Sequence, residues 1–299
     1  MNTPEFSQKL QDVASPVIAK LSELLGKEQQ ILVIAASHLD MDLLPQLYNH
    51  LNILGFTNTL NVLLYTRGGD VNATRRIALL LNDYCHNLNI IAPHYCQSSG
   101  TLLALSANAV YFSPLSIFSA IDPHLHGGQG DQNAALSSAD IKLFSDMSKD
   151  WFNTEVADKS NMLSMLCEHI FPPTLTTFYR TVLEVKEIAQ ELLQLAGQHC
   201  KTTQSKIIDT LMFSYHSHDY AITGTQLAKL DLPFKTDLRI NAATWPLVEF
   251  FSLYVGGGNR NELNESWCDS IIVCEKSSSS RWKNMSGLNP KWCTYEEDK

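Results

Sequence analysis

Apolar residues along this chain follow two patterns, one of helical spacing and one of short unbroken runs. Val13, Ile18, Leu21 and Leu24 recur at helical spacing and Gly26 can close the last turn, which predicts an N-terminal helix within residues 1–30. Ile31–Ala36 is a continuous apolar run with no alternation, the pattern of a strand covered on both faces. A helix over Leu43–Leu54 ends at Gly55, and Leu60–Tyr65 repeats the buried-strand pattern. A helix over Val71–Cys85 places Ile77, Leu80, Leu81 and Tyr84 on one side. Ile90–Pro93 is a third strand, a helix of small residues runs to Ala107, and Ala109–Phe112 is a fourth strand. This alternation predicts an α/β fold with a mainly parallel sheet and right-handed crossovers.

After Asp122-Pro123 the pattern changes. His126–Asp131 holds three glycines and reads as a loop, with Gly127–Gly130 expected to be a mobile lid beside a site. A helical half follows. Leu175, Phe178, Val182, Val185, Ala189, Leu192 and Ala196 form a stripe at steps of three and four, started by Pro172-Pro173 and stopped by Gly197. The stripe reads as core or as a helix-packing face; in the second case it offers a surface for a homo-oligomer. Ile207–Phe213 is one more short helix, and the last forty residues, including Ser277–Ser280, show no readable pattern. The expected division is a helix over 1–30, a main domain over 31–235 with a helical insertion from about 138, and an extension over 236–299 of unknown role.

Composition narrows the partners. The 299 residues are 44% apolar and 18% charged, a globular balance, and the formal charge of −9 disfavours nucleic acid. No apolar run reaches membrane-span length, and the first residues carry no secretion pattern, so no membrane anchor is expected. Seven cysteines without a Cys-x-x-Cys pair point to neither a disulfide framework nor a zinc site, and the expected location is the cytoplasm. No nicotinamide, flavin or pyridoxal motif is present, and no cofactor or metal is expected.

Three segments can carry chemistry. Gly68-Gly69 leaves a buried strand, where glycines let backbone N–H groups turn toward a bound oxygen; an ordinary strand-to-helix turn has the same sequence. Ser98-Ser99-Gly100 opens a helix, where a serine serves as an N-cap or as a nucleophile near the positive end of the helix dipole. Cys96 stands where a Gly-x-Ser-x-Gly elbow has its first glycine, which disfavours an α/β-hydrolase. In Ile121-Asp122-Pro123-His124, His124 and the nearby His126 are candidate bases or solvated loop histidines.

The order and spacing of these segments resemble the ClpP/crotonase superfamily. Tyr65–Asp70, Ser98–Leu105 and Ile121–Pro123 resemble the serine dehydrogenase proteinase family, which is related to the signal peptide peptidase A group; His218–Thr223 resembles a later segment of that family. The resemblance implies a ClpP/crotonase-like spiral of strand–helix units, with Ser98 as nucleophile. It assigns the Gly68-Gly69 backbone as one oxyanion donor and the Ser99 N–H as the other. The family's small residue after the nucleophile is Ser99 here, and the membrane anchor found in many relatives is not expected. For the base it offers two patterns: a histidine, matched by His124 at 26 residues after Ser98, or a lysine, matched by Lys149 at 51. A lysine base must be neutral and hence desolvated. Lys142 is a poorer candidate, and His218 with Asp219 could supply an oriented imidazole.

The resemblance therefore implies a serine peptidase acting on peptides or proteins through an acyl-enzyme on Ser98, with a Ser–Lys dyad through Lys149 favoured over His124. Two other readings stay open. One is a silent or conditional assembly module working with a partner protein that supplies substrate. The other is crotonase-like acyl-thioester chemistry, which does not need Ser98.

Overall fold

The computed structural model describes residues 3–121, 124–126, 135–137, 143–144, 147, 149–151, 159–197, 200–256, 266–284 and 291–296. The chain divides into two compact units. The first comprises Met1–Ser119, Leu192–His199 and Ala221–Lys299; the second comprises Ala120–Glu191 and Cys200–Tyr220.

The first unit is built on one sheet of eight strands. In chain order these are β1 (Gln30–Ala36), β2 (Thr57–Thr66), β3 (Cys85–Ala92), β4 (Ala109–Phe112), β7 (Phe234–Lys235), β8 (Trp267–Cys274), β9 (Ser277–Lys283) and β10 (Lys291–Glu296). Their spatial order is β10-β9-β8-β1-β2-β3-β4-β7. The run from β1 through β4 to β7 is parallel, whereas β8, β9 and β10 pair antiparallel beyond β1. The fold is thus α/β with a mainly parallel sheet.

Both faces of the central strands are covered, which is why their sequences do not alternate. Helix α1 (Thr3–Leu25) and a long helix over Leu238–Tyr254 pack on one face: Phe6, Leu10, Leu21, Leu247 and Phe251 are buried with Ile31, Val33 and Leu63. The neighbouring residues Leu32, Ile34, Val62 and Leu64 point to the other side and are also buried. That face carries α2 (Leu43–Leu54), α3 (Val71–Asp83) and α4 (Ser99–Ala104), with Leu43, Leu47, Ile77 and Leu81 buried.

The final segment departs from the sequence reading. Trp267–Cys274, Ser277–Lys283 and Lys291–Glu296 are strands, and Ser277–Ser280 are buried. Polar residues sit there because hydrogen bonds satisfy them. Ser277 donates to the Tyr295 carbonyl, Ser279 meets Thr294, and the imidazole of His50 bridges Cys274 at 3.4 Å and Ser279 at 3.0 Å. Hydropathy cannot reveal burial of this kind.

In the second unit, β5 (His124–His126) pairs antiparallel with β6 (Ala135–Ser137), so His124 and His126 lie in a strand and not in the expected loop. Gly127–Gly130, Asp122-Pro123 and Lys142 lie outside the described residues. Helices α5 (Lys159–His169), α6 (Pro172–Leu195) and α7 (Lys201–Phe213) follow, then α8 (Gly224–Ala228) and α9 (Leu238–Tyr254) of the first unit. Five residues of the α6 stripe and its end, Phe178, Val185, Ala189, Leu192 and Ala196, are buried within the chain. The stripe is therefore not a free second face; Tyr179 and Leu183 are exposed on α6 instead.

Burial holds the His50 imidazole at about 4, below its ordinary 6.5. The unfolded chain takes up a proton that the folded one refuses, so stability falls as pH drops below 6.5 and the loss levels off below about 4. Up to roughly 3 kcal/mol is expected to disappear across that window in urea titrations, and the His50→Gln variant should lose that part of the pH dependence. An equal slope in the variant would show that His50 is not its source.

Candidate active site

Strands β1, β2 and β3 end side by side, and the loops that leave them continue the pairing as isolated bridges, Leu39 with Gly69 and Thr66 with Cys96. Open α/β sheets bind ligands at this end of their strands.

The loop after β2 is shaped by close contacts. Gly68 has φ +118° and Gly69 φ +150°, both in the region side chains avoid. A Cβ on Gly69 would lie 2.3 Å from the Leu39 amide nitrogen and carbonyl oxygen; one on Gly68 would lie 2.8 Å from Ser98 Cβ. Leu39 holds both sides of Gly69. Its N–H donates to the Gly68 carbonyl at 2.8 Å, and its carbonyl accepts from the Asp70 N–H at 2.8 Å. Asp70 then caps α3 by accepting from the Ala73 N–H.

The loop after β3 brings Ser98 to the start of α4. Ser98 adopts φ 50° and ψ −116° and makes no capping hydrogen bond with its side chain. A serine that only capped the helix would have extended backbone and an engaged hydroxyl. Ser98 has neither, and its left-handed backbone is a strained conformation that clusters at functional sites. Neighbouring bonds hold the turn in place. The Ser98 N–H donates to Ser119 Oγ at 2.8 Å, the Gly100 N–H to the Gln97 carbonyl at 2.7 Å, and the Gln97 N–H to the Thr66 carbonyl at 3.1 Å. Gly100 is needed because a Cβ there would meet Thr66 Cγ2 at 2.6 Å. Half-buried Ser98 has its Oγ in no hydrogen bond to any described residue.

The four sequence candidates Gly68, Gly69, Ser98 and Ser99 therefore meet. Their hydrogen bonds separate the two glycines. The Gly68 N–H is engaged by Thr66 Oγ1 at 3.2 Å, whereas the N–H groups of Gly69 and Ser99 have no acceptor among the described residues. Ser99 fills its position by donating its hydroxyl to the Gly69 carbonyl at 2.7 Å, tying the glycine loop to the helix start. With its hydroxyl turned to Gly69, the Ser99 side chain does not engage its own backbone donor.

Other groups nearby have structural roles. Burial pushes the Cys96 thiol far up, so it is no competing nucleophile. Burial, together with the Arg67 guanidinium, holds the His94 imidazole below its ordinary range; its ring stacks on Tyr65 and meets Tyr95 edge-on. The candidate bases belong to the second unit. Lys149 is helical and exposed, His124 opens β5, and His218 is half-buried after α7. The sequence reading missed Leu39 and Ser119: each acts through backbone geometry or a single hydrogen bond, which leaves no spacing signal.

Ser98→Gly is expected to stabilise the protein by about 1 kcal/mol because glycine accepts the strained backbone at little cost, while Ser98→Ala keeps the strain. Chemical denaturation compares the two. A Ser98→Gly variant less stable than the parent would contradict the assignment of strain to this turn.

Comparison with known proteins agrees with the motifs. Residues 56–161 match the family of ClpP-like SDH-type serine proteinases. Two uncharacterized proteins of Methanocaldococcus jannaschii, MJ1495 and MJ0137, are 22% and 24% identical over 179 and 180 residues. Each alignment covers 60% of this chain, which spans about half the length of these relatives, 53% and 54%. Among solved structures, a serine-to-alanine variant of the 1510-N membrane-bound stomatin-specific protease aligns at TM-score 0.42 and 14% identity, over 73% of this chain and 81% of the other. A lysine-to-alanine variant of that protease with a substrate peptide aligns at 0.41 and 14%, over 70% and 72%. A ClpP1 variant from Listeria monocytogenes aligns at 0.38 and 11%, over 74% and 99%. Among the described residues, no helix is long and apolar enough to cross a membrane. The part of the chain that is similar to the ClpP-like SDH-type serine proteinases is the segment that holds Gly68, Gly69, Ser98 and Ser99.

Proposed function

We propose that the chain is a serine peptidase that cleaves peptide bonds through an acyl-enzyme on Ser98. The observation that carries this reading is the strained Ser98 turn beside two backbone N–H groups, of Gly69 and Ser99, that have no acceptor among the described residues. Ser98 Oγ attacks the scissile carbonyl carbon and gives its proton to a base. The carbonyl oxygen becomes an oxyanion, which the two N–H groups stabilise. The base returns the proton to the leaving amine, and water then hydrolyses the ester. A thioester-polarising enzyme would use the same donors but has no need of a strained serine.

Lys149 is the favoured base. It is exposed within one chain, whereas a lysine that accepts a proton must be shielded from water. A second copy of the chain supplies that shielding in this proposal, which makes a homo-oligomer the working form. The substrate is a peptide or protein, and no cofactor takes part.

Ser98→Ala is expected to lower peptide turnover by roughly 10⁴-fold or more with the fold intact. Lys149→Ala should approach that loss while His124→Ala retains more activity; the reverse order would move the base to His124. Wild-type turnover in Ser98→Ala would refute the mechanism. Light scattering is expected to show a mass above the 33.5 kDa of one chain. A mass near that of one chain over a wide concentration range would exclude the oligomer.

A further inference from the structure

Arg281, on β9, is fully buried, and its charge is met by two carboxylates, Asp269 on β8 and Asp40 in the turn after β1. Its Nη1 and Nη2 donate to Asp40 Oδ1 and Oδ2 at 2.6 and 2.9 Å, and its Nε donates to Asp269 Oδ2 at 2.9 Å. Lys283 lies 3.2 Å from Asp269 and 3.9 Å from Asp40. Well-packed apolar residues would join these segments as firmly, because desolvation offsets much of what a buried ion pair gains. The charged set does something apolar residues would not: it grips a particular turn.

That turn is Ser37–Asp40, which leaves β1. At its start, the Ser37 N–H donates to the Asp269 carbonyl at 2.9 Å and the Ser37 hydroxyl bonds the Asp269 carboxylate. At its end, Asp40 is held by the two parallel bonds from Arg281. Between them sits Leu39, whose N–H holds the Gly68 carbonyl and whose carbonyl holds the Asp70 N–H. In a trans peptide the C=O and N–H point opposite ways. Fixing the Gly68 carbonyl on Leu39 therefore aims the Gly69 N–H away from Leu39. The same peptide begins at Gly68, where an added Cβ would touch Ser98.

We propose that Arg281 is a positioning residue for acyl transfer: through Asp40 and Leu39 it fixes the Gly68–Gly69 peptide, and so sets the aim of one oxyanion donor. This gives the C-terminal strands a part in the reaction, and it rests on the serine peptidase reading above.

Arg281→Met leaves the Asp269 carboxylate with Ser37, Ser270 and Lys283 but without its guanidinium partner, so Asp40→Ala, which leaves Arg281 on Asp269, is the deciding variant. Acylation is read as the burst of p-nitrophenolate from p-nitrophenyl acetate, with the modified residue mapped by mass spectrometry. In the Ser98→Cys background, alkylation by iodoacetamide is measured beside it, because that displacement forms no oxyanion. Asp40→Ala is expected to slow acylation by roughly 10- to 100-fold, less than deletion of a donor outright, with the apparent affinity for ester unchanged. Alkylation of the Ser98→Cys form should keep its rate when Asp40→Ala is added. Equal loss of both reactions would reduce the ion set to a structural role, and unchanged acylation would likewise overturn the proposal. A wild-type protein that forms no acyl-enzyme at Ser98 would overturn the peptidase reading itself, and this inference with it.

Discussion

The backbone of Gly69 lies against the backbone of Leu39 too closely for any side chain, and the arrangement of the site follows from that contact. A Cβ there would fall 2.3 Å from two Leu39 atoms. The approach lets Leu39 hold the peptide groups on both sides of Gly69, in the manner of one more step of parallel sheet. A glycine loop is otherwise free to move, and an oxyanion donor works only when its direction is set before the charge develops. The strand exits of β1 and β2 supply that rigidity without using the Gly69 N–H.

Ser98 is held by the adjoining strand in a comparable way. Its unfavourable backbone angles persist because Thr66, Ser119 and the first turn of α4 each take one of the surrounding backbone groups. Strain of this kind costs on the order of 1–3 kcal/mol and survives only where the surroundings over-determine it. Ser99 adds a direct tie from the serine turn to the glycine loop. Nucleophile and donors are thus parts of one hydrogen-bonded frame.

Much of that frame could be read from the sequence. The unbroken runs Ile31–Ala36, Leu60–Tyr65 and Ala109–Phe112 announce a sheet covered on both faces, and Gly68-Gly69 and Ser98 sit where such strands end. What stayed hidden is held by polar groups or by backbone. Ser277–Ser280 and Arg281 look like a solvated tail, yet they are buried because carboxylates, hydroxyls and an imidazole meet them. The split between an engaged Gly68 N–H and an unengaged Gly69 N–H depends on Thr66 Oγ1, which no spacing rule identifies. The α6 stripe was ambiguous between core and interface for the reverse reason: periodicity gives an apolar face but not what covers it.

The central claim is that Ser98 is a nucleophile and not a helix cap. A fluorophosphonate probe, followed by digestion and mass spectrometry of the adduct, tests it most directly. The expected result is a single modification at Ser98, absent from protein unfolded before labelling. A probe that leaves the folded protein unmodified in every assembly state, or that modifies another residue, would contradict the account.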